Sequence, residues 1–260
     1  MLLQGKKGVV MGVAGHRSIA TSIVAEALKQ GAEVIVSYLE DERGKNRSRV
    51  EKSLECHDVT ALLPCDVRSD QSIQSFFTQV QEKFGSIDFI VHSIAWAPQE
   101  DLKKNVVDCS RGGFAAALDA SVYSFISVSK SASSLMQSSG HILTLSYYGA
   151  EKVIPGYNLM GIAKAALEAA VRYLSCDLGS KNISVNALSA GPLKTLASAG
   201  IPGFSEMQAS VYKAAPLQQP LQHSDVGQTA CFLLSDFSRA ITGEVLHVDC
   251  GYHTLGGWPQ

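Results

Sequence analysis

Tyr157 and Lys164 bound the segment Tyr157-Asn-Leu-Met-Gly-Ile-Ala-Lys164, seven residues apart. At about 100° per residue, an α-helix returns the lysine to the face of the tyrosine two turns along. An ammonium set below a phenol favours the ionised phenol, making it a better proton donor to developing negative charge at neutral pH. The same spacing also suits two unconnected residues on a helix surface. A rival pair, Tyr148 and Lys152, stands at a four-residue spacing. Gly149 lies inside it and Pro155-Gly156 follow, so this stretch reads as a loop leaving a strand rather than one helical face. Four residues on from Tyr157 stands Gly161, which supplies no amine.

A second chemistry-bearing stretch is Gly12-Val-Ala-Gly-His-Arg-Ser-Ile-Ala20. It follows an apolar run and opens an amphipathic one, the context in which glycines let backbone N–H groups approach a pyrophosphate. Its spacing departs from G-x-G-x-x-G, with Ser18, Ile19 and Ala20 filling the positions before the helix, and a plain strand-to-helix turn fits it as well. Further on, Ser37-Tyr-Leu-Glu-Asp41 falls where dinucleotide folds inspect the adenosine ribose. Carboxylates there would repel a 2'-phosphate, whereas Arg43, Lys45 and Arg47 could neutralise one; the expectation is NADH before NADPH.

The elements that must position these residues alternate between short β-branched runs and longer amphipathic segments, the pattern of βαβ units and a parallel sheet. Strands are expected at Gly8 to Met11, Glu33 to Ser37, near Ala61 to Leu63, and at Phe89 to His92, His141 to Ser146, Ser184 to Leu188 and Glu244 to Val248. Helices are expected at Ser18 to Gln30, about Ser69 to Phe84, around Ser121 to Met136, near Tyr157 to Leu178, and at Asp225 to Leu234 with Ser224 as N-cap. The expected fold is α/β, a single Rossmann-type domain over 1–260 with a doubly wound parallel sheet and helices on both faces. The stretch from Thr195 to Ala215 contains Gly200, Pro202 and Gly203 and interrupts the alternation, as a lid over a substrate pocket would.

Composition excludes several classes. Apolar residues at 46% and charged residues at 18% suit a folded globule rather than a disordered chain. A net charge of -2, with scattered Lys and Arg, offers no basic stripe for nucleic acid and no polybasic membrane patch. The six cysteines, with no C-x-x-C pair, indicate neither a metal site nor a disulfide framework and fit a reducing cytoplasm. The N-terminus lacks the long apolar core of a signal peptide, and no stretch approaches transmembrane length.

Taken together the chain resembles the enoyl-acyl carrier protein reductases of bacterial and plastid type II fatty acid synthesis, the NADH-dependent, divergent branch of the short-chain dehydrogenases/reductases. The likeness spans nearly the whole chain. Its most specific parts are Gly12 to Ala20, Cys65-Asp-Val67, Val91-His-Ser-Ile-Ala-Trp-Ala97, Leu145-Ser-Tyr-Tyr-Gly-Ala150, Tyr157 to Lys164, and Ser189-Ala-Gly-Pro-Leu-Lys-Thr-Leu-Ala197. The resemblance implies that Gly12, Ser18 and Ile19 contact the pyrophosphate and ribose of NAD, that Leu39, Asp66 and Val67 surround its adenine, and that Ile94 lies beside it. It also implies that Leu193, Lys194, Thr195, Leu196 and Ala197 meet the nicotinamide end, that Tyr147 and Tyr157 line the substrate pocket, and that Ala97 lies near the acyl thioester. Without it, Asp66 reads as a turn or cap residue and the apolar positions as core.

The implied reaction is hydride transfer to the β-carbon of a trans-2-enoyl thioester linked to acyl carrier protein, with Tyr157 stabilising the enolate oxygen and Lys164 holding the nicotinamide ribose. The family likeness also implies a homotetramer. Two other readings stay open: a carbonyl reductase using Tyr148 and Lys152, and a non-catalytic scaffold that keeps the fold.

Overall fold

Strands of a parallel sheet covered on both faces read as near-continuous apolar runs, and the central strands here do so. The computed structural model describes residues 1–196, 198 and 203–256. Seven strands, β1 (Lys7–Met11), β2 (Glu33–Tyr38), β3 (Ala61–Pro64), β4 (Phe89–His92), β5 (Gly140–Ser146), β6 (Ile183–Ala190) and β7 (Val245–Val248), form one sheet in the order β3-β2-β1-β4-β5-β6-β7. Each neighbouring pair is parallel. The strand order reverses direction between β1 and β4, the place where such sheets open a crevice at their C-terminal edge.

Side chains alternate across the sheet, so each strand feeds two cores. Val10, Val34 and Val36 point to the face covered by α1 (Ile19–Lys29) and α9 (His223–Leu233), where Ile23, Val24, Val226 and Ala230 pack. Val9, Met11 and Ile35 point to the face covered by α3 (Asp70–Phe84), α6 (Ser124–Ser133) and α7 (Asn158–Gly179), where Phe76, Phe125 and Leu167 pack. This is the doubly wound arrangement expected.

Three departures have physical reasons, while α7 runs from beside Tyr157 as expected. Helix α2 (Lys45–Ser53), KNRSRVEKS, was not expected because it buries only Val50 and Ser53 and has no apolar period to read. Its first turn is held from outside, the Asp41 carboxylate accepting from the Lys45 and Asn46 N–H groups at 3.2 and 2.8 Å. The helix expected around Ser121 to Met136 instead starts at α5 (Arg111–Leu118), after Gly112-Gly113 obscured its beginning, passes through a π-helical turn at Asp119–Tyr123, and ends with α6 at Ser133. Helix α7 begins at Asn158, and Tyr157 is its N-cap residue. Helix α9 is capped by Gln222 rather than Ser224, because the Asp225 carboxylate takes the Gln222 N–H at 2.7 Å and starts the helix earlier. Two further helices, α4 (Gln99–Leu102) and α8 (Phe204–Ala214), follow β4 and β6.

Candidate active site

In a fully parallel sheet every strand ends on the same edge, and the residues singled out from the sequence follow those ends. Gly12 follows β1, Leu39 follows β2, Asp66 and Val67 follow β3, Ile94 and Ala97 follow β4, Tyr147 follows β5, and Leu193 to Leu196 follow β6. Ala197 lies outside the described residues.

The two tyrosines meet. The Tyr147 and Tyr157 rings are 4.8 Å apart at 70°, one carried by the end of β5 and the other by the turn into α7. Space for the Tyr157 ring comes from Gly149, where a Cβ would collide with Tyr157 Cδ1. Gly161 is small for a related reason: a Cβ there would stand 2.8 Å from the Gly149 carbonyl oxygen. The absence of a lysine at this position is therefore enforced by the 3-10 turn Tyr148–Ala150 pressing on α7.

Lys164 is buried, and its Nζ donates to the Leu145 carbonyl at 2.6 Å, not to Tyr157. The tyrosine stands at the N-cap of the helix, its backbone already helical at φ -84°, ψ -26°. Burial pushes the Lys164 ammonium down to about 8, with Glu168 opposing. The Tyr157 phenol is displaced upward from 10.0, chiefly by burial, then by Tyr147 and Glu168. The expected lowering by a cation is thus replaced by a raised value, and Tyr157 is a neutral hydrogen-bond donor across the physiological range. Tyr147 is pushed up to about 12, again by burial.

Sequence reasoning missed Glu168 and Ser146. Glu168 lies one turn beyond Lys164 on α7, is 7% exposed, and accepts a hydrogen bond from Ser146 Oγ. Its four-residue spacing from the lysine was the available signal. The rival pair dissolves: Tyr148 Oη donates to the His253 carbonyl at 3.3 Å and Lys152 is exposed.

Along the rest of the crevice, Ser18 caps α1, its Oγ accepting from Thr21 N at 3.2 Å and lying 2.7 Å from Thr21 Oγ1. Asp66 is a turn residue that Arg68 binds through Nε at 3.0 Å and Nη2 at 2.8 Å, while Arg68 lies over the Trp96 ring. Asp41 accepts from the first turn of α2 and Arg47 pairs with Glu51 at 2.9 Å, so these two of the charges read as cofactor discriminators have local partners. Leu39 and Leu196 are exposed, Ile94 is half-buried, and Leu193 and Ala97 are buried. Ala97 packs with Leu159, Met160 and Ala163 of α7.

Two features test the fit of a dinucleotide. Gly12 has φ +93°, and a Cβ there would run into the Ser93 carbonyl oxygen, so the turn after β1 packs backbone to backbone against the turn after β4. Ser189 Oγ is buried with no hydrogen-bond partner among the described residues, and lines a small pocket with Tyr147, Gly191, Pro192 and Val211. The unpartnered hydroxyl suits a polar ligand group, and the glycine keeps the turn after β1 free of side chain.

The sequence profile of the enoyl-(acyl carrier protein) reductase family matches residues 12–253. The chain belongs to this family. The reductase is 45% identical over 254 residues to the enoyl-(acyl-carrier-protein) reductase (NADH) FabI of Nostoc sp., covering 98% of both chains. Among solved structures it superposes on the Anaplasma phagocytophilum reductase in complex with NAD with a TM-score of 0.94, at 46% identity over 100% of this chain and 98% of that one. The Bacillus cereus reductase with NADP+ and an indole naphthyridinone gives 0.93, at 43% identity over 98% and 99%.

Proposed function

We infer that this reductase saturates the carbon–carbon double bond of trans-2-enoyl thioesters carried by acyl carrier protein, using NADH, in type II fatty acid synthesis. The observation that carries the reading is the convergence of Tyr147, Tyr157 and Lys164 at the junction of β5 and α7. Gly12, Ser18, Ile19, Ile94, Lys164 and the segment Leu193 to Ala197 hold NAD, and Leu39, Asp66 and Val67 flank its adenine. Reduced nicotinamide would supply the hydride that the β-carbon takes up, and a proton reaching the α-carbon completes the saturated thioester.

The chain's own contribution is electrostatic. Tyr157 donates a hydrogen bond to the thioester oxygen as enolate charge develops; one such donor is typically worth roughly 3 kcal/mol. A neutral, upward-shifted phenol serves this role because it keeps its proton until the charge appears. Lys164 binds the nicotinamide ribose and adds positive potential. Tyr147, edge to face with Tyr157, shapes the pocket wall and orients the thioester, and Ala97 offers backbone near it.

The segment 195–215 serves as the substrate lid within a single domain. In support, Gln208 and Tyr212 of α8 both donate to the Pro192 carbonyl, at 2.7 and 2.9 Å, and Val211 packs in one cluster with Tyr148, Tyr147 and Tyr157. A cytoplasmic homotetramer is the proposed working form, with no nucleic-acid or membrane partner. The net charge of -2 agrees, and no helix among the described residues is long and apolar enough to cross a membrane.

The test is oxidation of NADH and NADPH with crotonyl-CoA against acetoacetyl-CoA. Turnover of crotonyl-CoA with NADH is expected; preference for acetoacetyl-CoA would overturn the reading in favour of a carbonyl reductase.

A further inference from the structure

Two residues one turn apart on α7 grip two consecutive residues at the end of β5. Lys164 Nζ donates to the Leu145 carbonyl at 2.6 Å, and Glu168 accepts from Ser146 Oγ. Lys164, Ser146 and Glu168 are exposed by only 6%, 6% and 7%. The next residue along β5 is Tyr147, and α7 begins directly after Tyr157. The clasp therefore sets the separation of the two backbones that carry the tyrosines and the lysine. A buried carboxylate is costly unless it is paired, and stability alone would be served as well by an apolar contact.

We propose that Glu168 and Ser146 are positioning residues for Lys164: the Ser146–Glu168 hydrogen bond anchors a carboxylate one turn from the ammonium, so that Lys164 stays charged and aimed when it holds the cofactor ribose. This rests on the reading of Lys164 given above. Lys164 faces the Leu145 carbonyl from β5, Glu168 from its own helix, and the neutral His92 imidazole, which feels its charge, from β4. Burial raises the Glu168 carboxyl from its ordinary value, the Ser146 hydrogen bond opposes this and so favours the carboxylate, and beyond them Glu151 acts against His247 and Arg172. His247 and Glu151 are themselves paired at 2.7 Å. Burial alone would take the proton off Lys164 at a lower pH than it does with Glu168 present.

The test is a fluorescence titration of NADH across pH 6 to 10 with the full chain, wild type against Glu168→Gln and Ser146→Ala, alongside crotonyl-CoA turnover. Glu168→Gln keeps an acceptor for Ser146 but removes the charge, so the alkaline loss of NADH affinity should begin about one pH unit earlier. At pH 8 that is about fivefold weaker binding, approaching about tenfold above pH 9, with little change at pH 6. Ser146→Ala frees the carboxylate and should weaken NADH binding about fivefold at every pH, the loss expected when one hydrogen bond of about 1 kcal/mol is removed. If Glu168→Gln does not fold, the Ser146→Ala affinity decides. Folded variants whose Kd curves overlay the wild type would overturn the proposal, as would a uniform loss in Glu168→Gln with no pH displacement. Failure of wild-type crotonyl-CoA turnover with the Kd displacement intact would sink the proposed reaction but not the clasp.

Discussion

The Tyr147 and Tyr157 rings meet edge to face, one at the end of β5 and the other at the threshold of α7. Such pairs contribute about 0.5–1.5 kcal/mol beyond their buried area, so each ring fixes the other. Removing one hydroxyl leaves that contact in place and isolates the chemistry from the packing. Tyr157→Phe should lower kcat with crotonyl-CoA by about 10²-fold or more while leaving the NADH Kd nearly unchanged. Tyr147→Phe should cost about tenfold or less. Equal losses in the two variants would contradict the assignment of the donor to Tyr157.

Lys164 titrates near neutrality because burial disfavours its charge, and its proton is lost as pH rises through about 8. NADH affinity should therefore fall on the alkaline side of about pH 8. Lys164→Ala should remove that dependence and raise the Kd by about tenfold, or about 1.4 kcal/mol. An unchanged Kd would refute the role.

Helix α7 shows where sequence reasoning succeeded and where it stopped. Its apolar period and the Tyr157 to Lys164 segment were legible, because helical spacing is a local property. The raised phenol was not, since it depends on burial among residues from β5, α7 and the turn between them. Glu168 looked like any polar residue of an amphipathic helix; only the position of Ser146 across the β5–α7 boundary makes it an anchored carboxylate. Charged helix α2 stayed invisible for the opposite reason, having almost no buried face to leave a mark.

The four-residue pair offers a direct discriminator. Tyr148 Oη is engaged by the His253 carbonyl and Lys152 is exposed. Lys152→Ala should change kcat/KM with crotonyl-CoA by no more than about twofold, as exposed surface substitutions usually do little. A loss approaching that of Lys164→Ala would revive the carbonyl reductase alternative.

His92 is fully buried between Ser124 Oγ at 2.9 Å and Thr144, and burial pushes its imidazole from 6.5 down to about 3, the Lys164 charge adding to this. The unfolded chain takes up a proton below about pH 6.5 and the folded one does not until about pH 3. Stability should then decline as pH falls through that window, by a few kcal/mol at most from this residue, roughly 1.4 per pH unit. Urea unfolding at pH 7 and pH 5 would show it, and His92→Asn should flatten the slope.

Gly12→Ala places a side chain on a backbone at φ +93° and against the Ser93 carbonyl. A cost of about 1–3 kcal/mol from the dihedral alone is expected, with the collision added. Reduced Tm together with weakened NADH binding is the expected outcome; a variant with wild-type values of both would show that the turn after β1 is not built as described.

The strand order carries a consequence for how the chain is made. β1 lies between β2 and β4, and its second neighbour is Phe89–His92, some eighty residues downstream. While the polypeptide leaves the ribosome, β1 and β2 can pair early, yet the other flank of β1 stays an open edge until β4 emerges. From then on β5, β6 and β7 each add beside their predecessor, so growth becomes directional and every newly synthesised strand finds its template waiting. Until residue 92 is made, the strand that becomes the centre of the sheet is therefore held from one side only.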